Sequence, residues 1–308
     1  MENLDFNITV ATPFRLDLTV WALRRRSRNL VDCWDGSCYT RIFTIENFPV
    51  KVEVRQHTRS QITVVARSHH SINKLKPKLS NILIWTLGLK IELKWFYECT
   101  NVNAVLSPLI LKFKGVKPPR FPTIFETLTN AIAFQQLSLE AGFSLLNNLT
   151  QKFGNQFKED DRVNYAFPEP YKIMKCTKEE LIVLGFSERK SETLILIASA
   201  IIHEKLFSNF AHLSNEDIIK FLCNFKGIGR WSAEYCLLRG LGRIEILPGD
   251  DVAIHKSIEN LLKLRKKPDF DKIKKIEKEW HPYAGLIYFH FLLEKLSMKE
   301  NLDILTTI

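Results

Sequence analysis

The spacing of apolar residues changes part-way along this 308-residue chain, and the change limits the folds it can form. In the first hundred residues apolar side chains alternate with polar ones, as in segments 16–20 and 50–54, which indicates strands. From about Gly115 onward, apolar residues recur every three or four positions behind helix-capping residues, which predicts helices. The sequence therefore predicts an α+β fold, with an antiparallel β-rich unit at 1–105 and a mainly helical body at 106–308.

Local turn and cap signals place the individual elements. The alternating positions expected in strands are Leu16, Leu18, Val20, Ile42, Thr44, Val50, Val52, Val54, Ile62 and Val64. Trp34-Asp35-Gly36 predicts a turn between strands, and segment 71–89 predicts a helix. The predicted helix starts are the capping boxes Thr123/Glu126 and Thr177/Glu180, and the single caps Ser187 and Ser214.

The chain carries a formal net charge of +10, which suits a polyanionic partner such as nucleic acid. Arg24-Arg25-Arg26 concentrates this charge, and two interpretations stay open for it, contact with phosphate or a solvated basic turn. The six cysteines include no paired CxxC motifs at metal-binding spacing. We therefore expect free thiols, no catalytic metal and no cofactor.

Segments that would direct the chain to a membrane are not evident. No apolar run reaches the roughly 18 residues of a membrane span, and Met1 to Val10 has no basic segment followed by an apolar one. We expect no membrane partner, and a location in the cytoplasm, associated with the nucleoid, or in the nucleus.

A glycine-rich turn separates two amphipathic segments in the second half of the chain. In Phe225-Lys226-Gly227-Ile228-Gly229-Arg230 the glycines allow a tight turn and expose N–H groups at the next helix start. Such a helix end attracts phosphate, and Lys226 and Arg230 add positive charge. A purely structural turn between helices is the alternative for this motif taken alone.

Two adjacent aspartates follow at the next predicted helix start. Leu247-Pro248-Gly249-Asp250-Asp251 precedes a helix that begins at Val252. One aspartate in this place is explained by N-capping, but a cap uses a single side chain. An ionised carboxylate beside a cleft can stabilise positive charge that develops on a sugar.

Hairpin, helix and aspartate loop in this order resemble the helix-hairpin-helix (HhH-GPD) superfamily of DNA glycosylases. Segment 225–235 resembles the hairpin of the 3-methyladenine DNA glycosylase II branch, and segment 247–251 resembles its catalytic loop with Gly249 inserted. The family's wedge loop, C-terminal aromatic motif and lead-in to the helical domain resemble segments 131–138, 280–285 and 119–122. The resemblance implies a TBP-like N-terminal sheet and two helical subdomains, with the hairpin at 214–241.

The resemblance also implies roles for individual residues. Asp251 is the implied catalytic carboxylate, and Asp250 is the alternative that the inserted glycine leaves open. The implied base-pocket residues are Trp231, Tyr235, Trp280 and Tyr283, and the implied DNA contacts are Lys226, Gly227, Gly229, Arg230, Gln136 and Leu137. Either of the last two would be the wedge, although Gln135 and Gln136 could equally be exposed helix-end residues. The carbonyls of Cys223, Phe225 and Ile228 form a candidate monovalent cation site.

The implied activity is hydrolytic removal of alkylated purines of the 3-methyladenine type from damaged double-stranded DNA, by a monomer. Bifunctional relatives carry a lysine for Schiff-base chemistry one residue after the turn, where this chain has Trp231. We therefore expect no strand cleavage. Two alternatives stay open, a glycosylase for 8-oxoguanine or hypoxanthine, and a non-catalytic protein that grips DNA phosphates with the hairpin.

Overall fold

A five-stranded antiparallel sheet forms the N-terminal part of the protein. The computed structural model describes residues 1–101, 103–203 and 205–299. The strands are β1 (Glu2–Thr9), β2 (Cys33–Trp34), β3 (Cys38–Ile45), β4 (Phe48–Thr58) and β5 (Gln61–Ser68), in the spatial order β1-β5-β4-β3-β2. The strands predicted at 50–54 and 62–64 are confirmed, and their apolar residues are buried. The predicted turn forms because Asp35 Oδ1 accepts the N–H groups of Ser37 (2.8 Å) and Cys38 (2.7 Å).

The segment predicted as a strand at 16–20 is a helix, so this prediction was wrong. Helix α1 (Leu16–Arg24) has buried residues on all its faces. Leu18 packs in a cluster with Leu286, whereas Val20 belongs to the core of the sheet. Because a helix buried on all sides has no polar stripe, the spacing of its apolar residues does not reveal a helical period.

Helices make up most of the remaining chain. Those between the sheet and the body are α2 (Lys76–Thr86), α3 (Lys94–Asn101) and α4 (Ser107–Lys112). Those of the body are α5 (Ile124–Phe134), α6 (Leu139–Phe153), α7 (Pro170–Lys175), α8 (Lys178–Val183), α9 (Glu188–His203), α10 (Asn215–Cys223), α11 (Arg230–Cys236), α12 (Val252–Leu261), α13 (Phe270–Glu279) and α14 (Ala284–Lys299). The body also contains a short hairpin, β6 (Gln156–Glu159) and β7 (Arg162–Tyr165), a 3-10 helix (Lys205–His212) and a π turn (Leu237–Leu241).

Most of the predicted helix starts are found. The helix expected at 71–89 is α2, which is shorter than predicted. Thr177 and Glu180 form the reciprocal capping box of α8. Ser187 and Ser214 accept N–H groups from the first turns of α9 and α10. Short polar side chains thus fix helix starts by local hydrogen bonds that a sequence reveals directly.

The three consecutive arginines are buried, so both interpretations of this segment were wrong. Arg24 donates to three backbone carbonyls at 2.6–3.1 Å. The guanidinium of Arg25 lies over the ring of Phe134, 4.3 Å from its centroid, and Arg26 binds Glu140 at 2.8 Å. The contacts of Arg25 and Arg26 join the C-terminal end of α1 to the helical body, whereas Arg24 binds carbonyls within residues 26–34.

A buried ion cluster joins the sheet to α5. Arg41 on β3 donates to Asp32 Oδ1 (2.8 Å) and to Glu126 Oε2 (2.6 Å), and all three side chains are at most 4% exposed. Thr123 caps α5 by accepting the N–H of Glu126. The capping box predicted there is only half formed, because the Glu126 carboxylate binds Arg41. Burial raises the pKa of Glu126, and the charge of Arg41 opposes that rise.

Hydrophobic clusters extend across the boundary predicted near residue 105. One contains Leu18 and Phe96 together with Leu286, and another contains the sheet together with Tyr235. The two parts therefore pack against one another through common clusters, and the boundary itself stays a prediction. Within the described residues, no helix is both long enough and apolar enough to cross a membrane.

The ion cluster gives a prediction about stability. We expect Arg41→Met to lower the free energy of unfolding by about 3–5 kcal/mol, because Asp32 and Glu126 would stay buried without a counter-charge. Urea denaturation at pH 7 measures the loss. The control is Arg67→Met, which removes a more exposed ion pair with Glu53 and should cost less than about 1 kcal/mol. Equal losses in the two variants would contradict the prediction.

Candidate active site

The glycine-rich turn between α10 and α11 is a tight hairpin. Gly227 has φ +93°, and a Cβ built on it would overlap the side chain of Thr193. Gly229 is the N-cap of α11 with φ −102°, and nothing lies within 4 Å of its Cβ position. The first glycine is therefore required by the fold. The second leaves open space at the N-terminus of α11, where backbone N–H groups face outward.

The loop after α5 is fastened to this hairpin. Gln135 Nε2 donates to Gly227 O and to Ser232 Oγ, both at 2.9 Å, so the alternative of an exposed helix end is wrong for Gln135. Lys190 Nζ donates to the carbonyls of Ala133 (3.0 Å) and Gln135 (2.9 Å) at the C-terminal end of α5. Burial lowers the pKa of Lys190. These contacts hold the loop in one position.

The tip of that loop carries the two predicted wedge residues. Gln136 is exposed and has φ +55°, and Leu137 is 44% exposed. A left-handed backbone at a residue with a side chain persists where the neighbouring structure fixes it. The tip therefore projects two side chains from a held loop, and the choice of wedge between them stays a prediction.

The basic residues of the hairpin are already paired with carboxylates. Lys226, which is 77% exposed, lies 3.4 Å from Glu192. Arg230 contacts Glu216 at 3.3 Å and Glu234 at 3.0 Å, and it is 39% exposed. The pairs with Glu192 and Glu216 are exposed and therefore weak, so a phosphate can compete for both cations. Their predicted role in DNA contact stays untested.

The backbone of segment 247–251 is held at several points. Glu234 Oε2 accepts the N–H of Gly249 at 2.8 Å, and the ring of His255 contacts Gly249 O at 2.5 Å. Glu277 Oε1 accepts the N–H of Leu247 at 2.8 Å. Gly249, which the resemblance to the family's catalytic loop marks as inserted, thus has both its N–H and its carbonyl bound.

The two adjacent aspartates have different surroundings. Asp250 is exposed. Asp251 is half-buried, its Oδ1 accepts the N–H of Ile254 at 3.3 Å, and its Oδ2 accepts the hydroxyl of Tyr288 at 3.4 Å. Asp251 therefore caps α12 and also faces α14.

Tyr288 is a site residue that the sequence reasoning missed. It lies on α14 and is 6% exposed. Burial raises its pKa well above the ordinary value, and the charge of Asp251 and the nearby Tyr235 raise it further. The phenol is thus a neutral hydrogen-bond donor to Asp251. The signal for it was weak, because Tyr288 falls in a helix that is apolar on almost every face.

The predicted pocket aromatics fall into two groups. Trp231 and Tyr235 lie next to each other on α11, with ring centroids 5.4 Å apart. Tyr235 is 2% exposed, and its hydroxyl has no hydrogen-bond partner among the described residues. Trp280 is buried against Phe291, and Tyr283 packs edge-on against Phe96 on α3 (5.4 Å). The structure thus pairs the first two rings, and places the other two in the cluster around α14.

The candidate cation site lies at the hairpin carbonyls. Phe225 O accepts the N–H of Ile228 at 3.0 Å, which closes the turn. Each carbonyl oxygen has a second lone pair, so this bond leaves coordination of a monovalent cation feasible. The contribution of Cys223 and Ile228 carbonyls to such a site stays a prediction.

Known proteins match this chain in both sequence and structure. The family described as HhH-GPD superfamily base excision DNA repair protein matches residues 129–282. A DNA-3-methyladenine glycosylase of Bacillus subtilis is 30% identical over 205 residues, which cover 65% of this chain and 68% of that protein.

Two solved structures extend the comparison. A 3-methyladenine DNA glycosylase from Archaeoglobus fulgidus has a TM-score of 0.83 at 23% identity, covering 94% of this chain and 97% of its own. A 3-methyladenine DNA glycosylase of Schizosaccharomyces pombe, in complex with abasic DNA, has a TM-score of 0.54 at 27% identity, covering 63% and 93%. The predicted α+β fold with an N-terminal antiparallel sheet is confirmed.

The hairpin glycines give a matched pair of substitutions. We expect Gly227→Ser to destabilise the protein by about 2 kcal/mol, because a left-handed φ and an overlap with Thr193 both oppose a side chain. Gly229→Ser should be neutral or stabilising by up to about 1 kcal/mol, since serine is a preferred N-cap. Urea denaturation of both variants measures the difference. A smaller loss at Gly227 than at Gly229 would show that the turn is not constrained as described.

Proposed function

The chain belongs to the HhH-GPD superfamily of base excision DNA repair proteins, and we propose that it is a DNA N-glycosylase that excises alkylated purines of the 3-methyladenine type. The name of the B. subtilis relative supports the substrate class. The observation that carries the chemistry is the carboxylate of Asp251. It is half-buried at the start of α12, oriented by Tyr288 and by the N–H of Ile254, and still accessible.

We infer that Asp251 acts on the sugar of a nucleotide that has been flipped out of the duplex. The target nucleotide leaves the base stack, because its glycosidic bond cannot be reached inside a duplex. As the base departs, positive charge develops on the sugar, and Asp251 stabilises that charge and orients the attacking water. Asp250 is exposed and lacks the Tyr288 contact, which favours Asp251 of the two.

The paired rings of Trp231 and Tyr235 suit an electron-poor base. Alkylation gives a purine positive charge, and aromatic faces attract cations. Trp231 occupies the position where bifunctional relatives have a lysine, so we propose hydrolysis without strand cleavage. Since Trp231 is half-buried and Tyr235 is buried, Trp231 would stack on the base and Tyr235 would support the Trp231 ring. Trp280 and Tyr283 would support this pocket from the α14 side.

Damaged double-stranded DNA is the proposed partner, and a monomer is the proposed acting unit. The open N-terminus of α11 with Lys226 and Arg230 would hold the backbone. Gln136 or Leu137 would occupy the space that the flipped nucleotide leaves. Gln135 bonds the loop that carries the wedge directly to Gly227, so both contacts sit on one supported unit.

Base release tests the proposed carboxylate. We expect wild type to release 3-methyladenine and 7-methylguanine from methylated duplex DNA, with strands intact until alkali treatment. Asp251→Asn should release these bases about 100- to 1000-fold more slowly, since one aimed electrostatic group contributes this much. Chromatography of free bases measures release. Asp250→Asn is the matched control and should keep most of the activity.

Other outcomes of the same assay would redirect the assignment. Loss of activity in Asp250→Asn alone would transfer the role to the neighbouring aspartate. Release only from 8-oxoguanine or hypoxanthine duplexes would change the substrate class. Tight, salt-sensitive DNA binding without base release from any of these duplexes would favour the alternative of a non-catalytic protein that binds DNA phosphates.

Tyr288→Phe tests the orientation of Asp251. We expect the single-turnover excision rate to fall about 10-fold with unchanged DNA affinity, because a lost bond to a charged group is worth roughly 1.5 kcal/mol or more. The control is Tyr97→Phe, another buried phenol whose hydroxyl accepts the N–H of Gly115 (2.8 Å), away from Asp251. An unchanged rate in Tyr288→Phe would mean that the hydroxyl does not orient the carboxylate.

A further inference from the structure

A buried carboxylate lies between the hairpin and the loop that carries Asp251. Glu234 is on α11, one helical turn after Arg230, and its side chain is 1% exposed. Its Oε1 accepts from Arg230 Nε and from Lys274 Nζ, both at 3.0 Å, and its Oε2 accepts the N–H of Gly249 at 2.8 Å. One side chain therefore contacts the hairpin helix, α13 and the loop.

The arrangement fixes distances between these three segments. A buried carboxylate is stable only where donors surround it, so moving any one donor away leaves charge uncompensated in the interior. Two of the three donors of Glu234 are charged groups, and charge-assisted hydrogen bonds are the short and directional ones. The loop at Gly249 is therefore held at a set distance from α11.

A second carboxylate, Glu277, holds the same loop in a similar way. Glu277 Oε1 accepts the N–H of Leu247, and its Oε2 accepts from Lys274 Nζ at 2.7 Å. Lys274 therefore bridges Glu234 and Glu277, and each carboxylate holds one N–H of the same loop. Both ends of the segment that precedes Asp250 are thus bound to a single charged network.

Arg230 brings this network to the surface. Its Nε faces the buried Glu234, whereas its Nη atoms face Glu216 at 3.3 and 3.4 Å. Glu216 is 54% exposed, and such a pair yields easily to another anion. A DNA phosphate can therefore replace Glu216 on the outer edge of Arg230 while the inner bond to Glu234 stays in place.

We propose that Glu234 is a positioning residue that couples the grip of the hairpin on the DNA backbone to the placement of Asp251. Arg230 receives the phosphate, Glu234 transmits its position to Gly249, and Gly249 sets the position of Asp251, two residues later and directly before α12. The inference rests on the proposed glycosylase activity, because only a reacting sugar makes the position of Asp251 matter.

Glu234→Gln is the variant that tests the coupling, since it keeps the size of the side chain and removes its charge. The probe is a duplex with a tetrahydrofuran abasic analogue, for affinity and for hydrogen exchange of the peptide spanning 245–251. A methylated duplex gives the single-turnover excision rate. We expect excision to fall about 30-fold with affinity changed less than threefold, because small displacements of a reacting group cost up to about 100-fold. We also expect loop amides to exchange about tenfold faster, with and without DNA.

The matched control is Glu53→Gln in the sheet. Glu53 is also largely buried and also binds one lysine and one arginine, Lys51 at 3.1 Å and Arg67 at 2.9 Å, but it does not belong to the network around Gly249. We expect its excision rate and loop exchange to stay within twofold of wild type. If Glu234→Gln does not fold, Glu234→Asp, which keeps the charge but shortens the reach to Gly249, is measured in its place.

The proposal would be overturned by unchanged excision in the Glu234 variant, by unchanged hydrogen exchange of the loop, or by a loss that appears in affinity rather than in rate. An equal loss in Glu53→Gln would also overturn it, since it would indicate a general effect on stability. If wild type releases no base from methylated DNA, the proposed function fails, and loop exchange still decides whether Glu234 holds Gly249.

Discussion

The charge of Arg41, buried where the sheet meets α5, sets the geometry on which the candidate site depends. Glu126 binds Arg41 at the start of α5, and Gln135 binds Gly227 at its other end. A single helix thus connects the sheet to the hairpin, with a polar contact fixing each end. Because an unpaired charge in the interior is costly, α5 cannot rotate or slide without breaking the first contact. The N-terminal sheet therefore contributes to the site without carrying a proposed catalytic residue.

Much of the fold followed from features that act locally. Strands β4 and β5 show the alternation of a sheet with one buried face, and the cap of α8 is visible in two side chains three residues apart. Such signals depend only on residues close together in the chain, so they predict these elements without knowledge of the tertiary structure. α1 was misassigned for the opposite reason, since its burial on all faces is produced by the sheet on one side and α14 on the other.

The candidate site shows the same difference between features that are visible locally in the sequence and features that depend on tertiary contacts. The turn at Gly227 and the aspartate pair were visible because they are contiguous and chemically unusual. Tyr288 and Glu234 were not, because each acquires its meaning from partners 37 and 15 positions away in the chain. For the three arginines of segment 24–26, charge alone wrongly predicted a position on the surface. They are buried because carbonyls, aromatic rings and a carboxylate bind them, and no local sequence pattern indicates these contacts.

The loop tip at Gln136 is already shaped before any duplex arrives. Its backbone is held by Lys190 and Gln135, so the entropy lost in ordering it belongs to folding and not to association. Under the proposed function, this loop would contact DNA in a conformation that it already has in the free protein. The protein would then leave undamaged duplex quickly, because the loop does not have to unfold again before dissociation. Dissociation, rather than association, would then separate damaged from intact sites during a search along the genome.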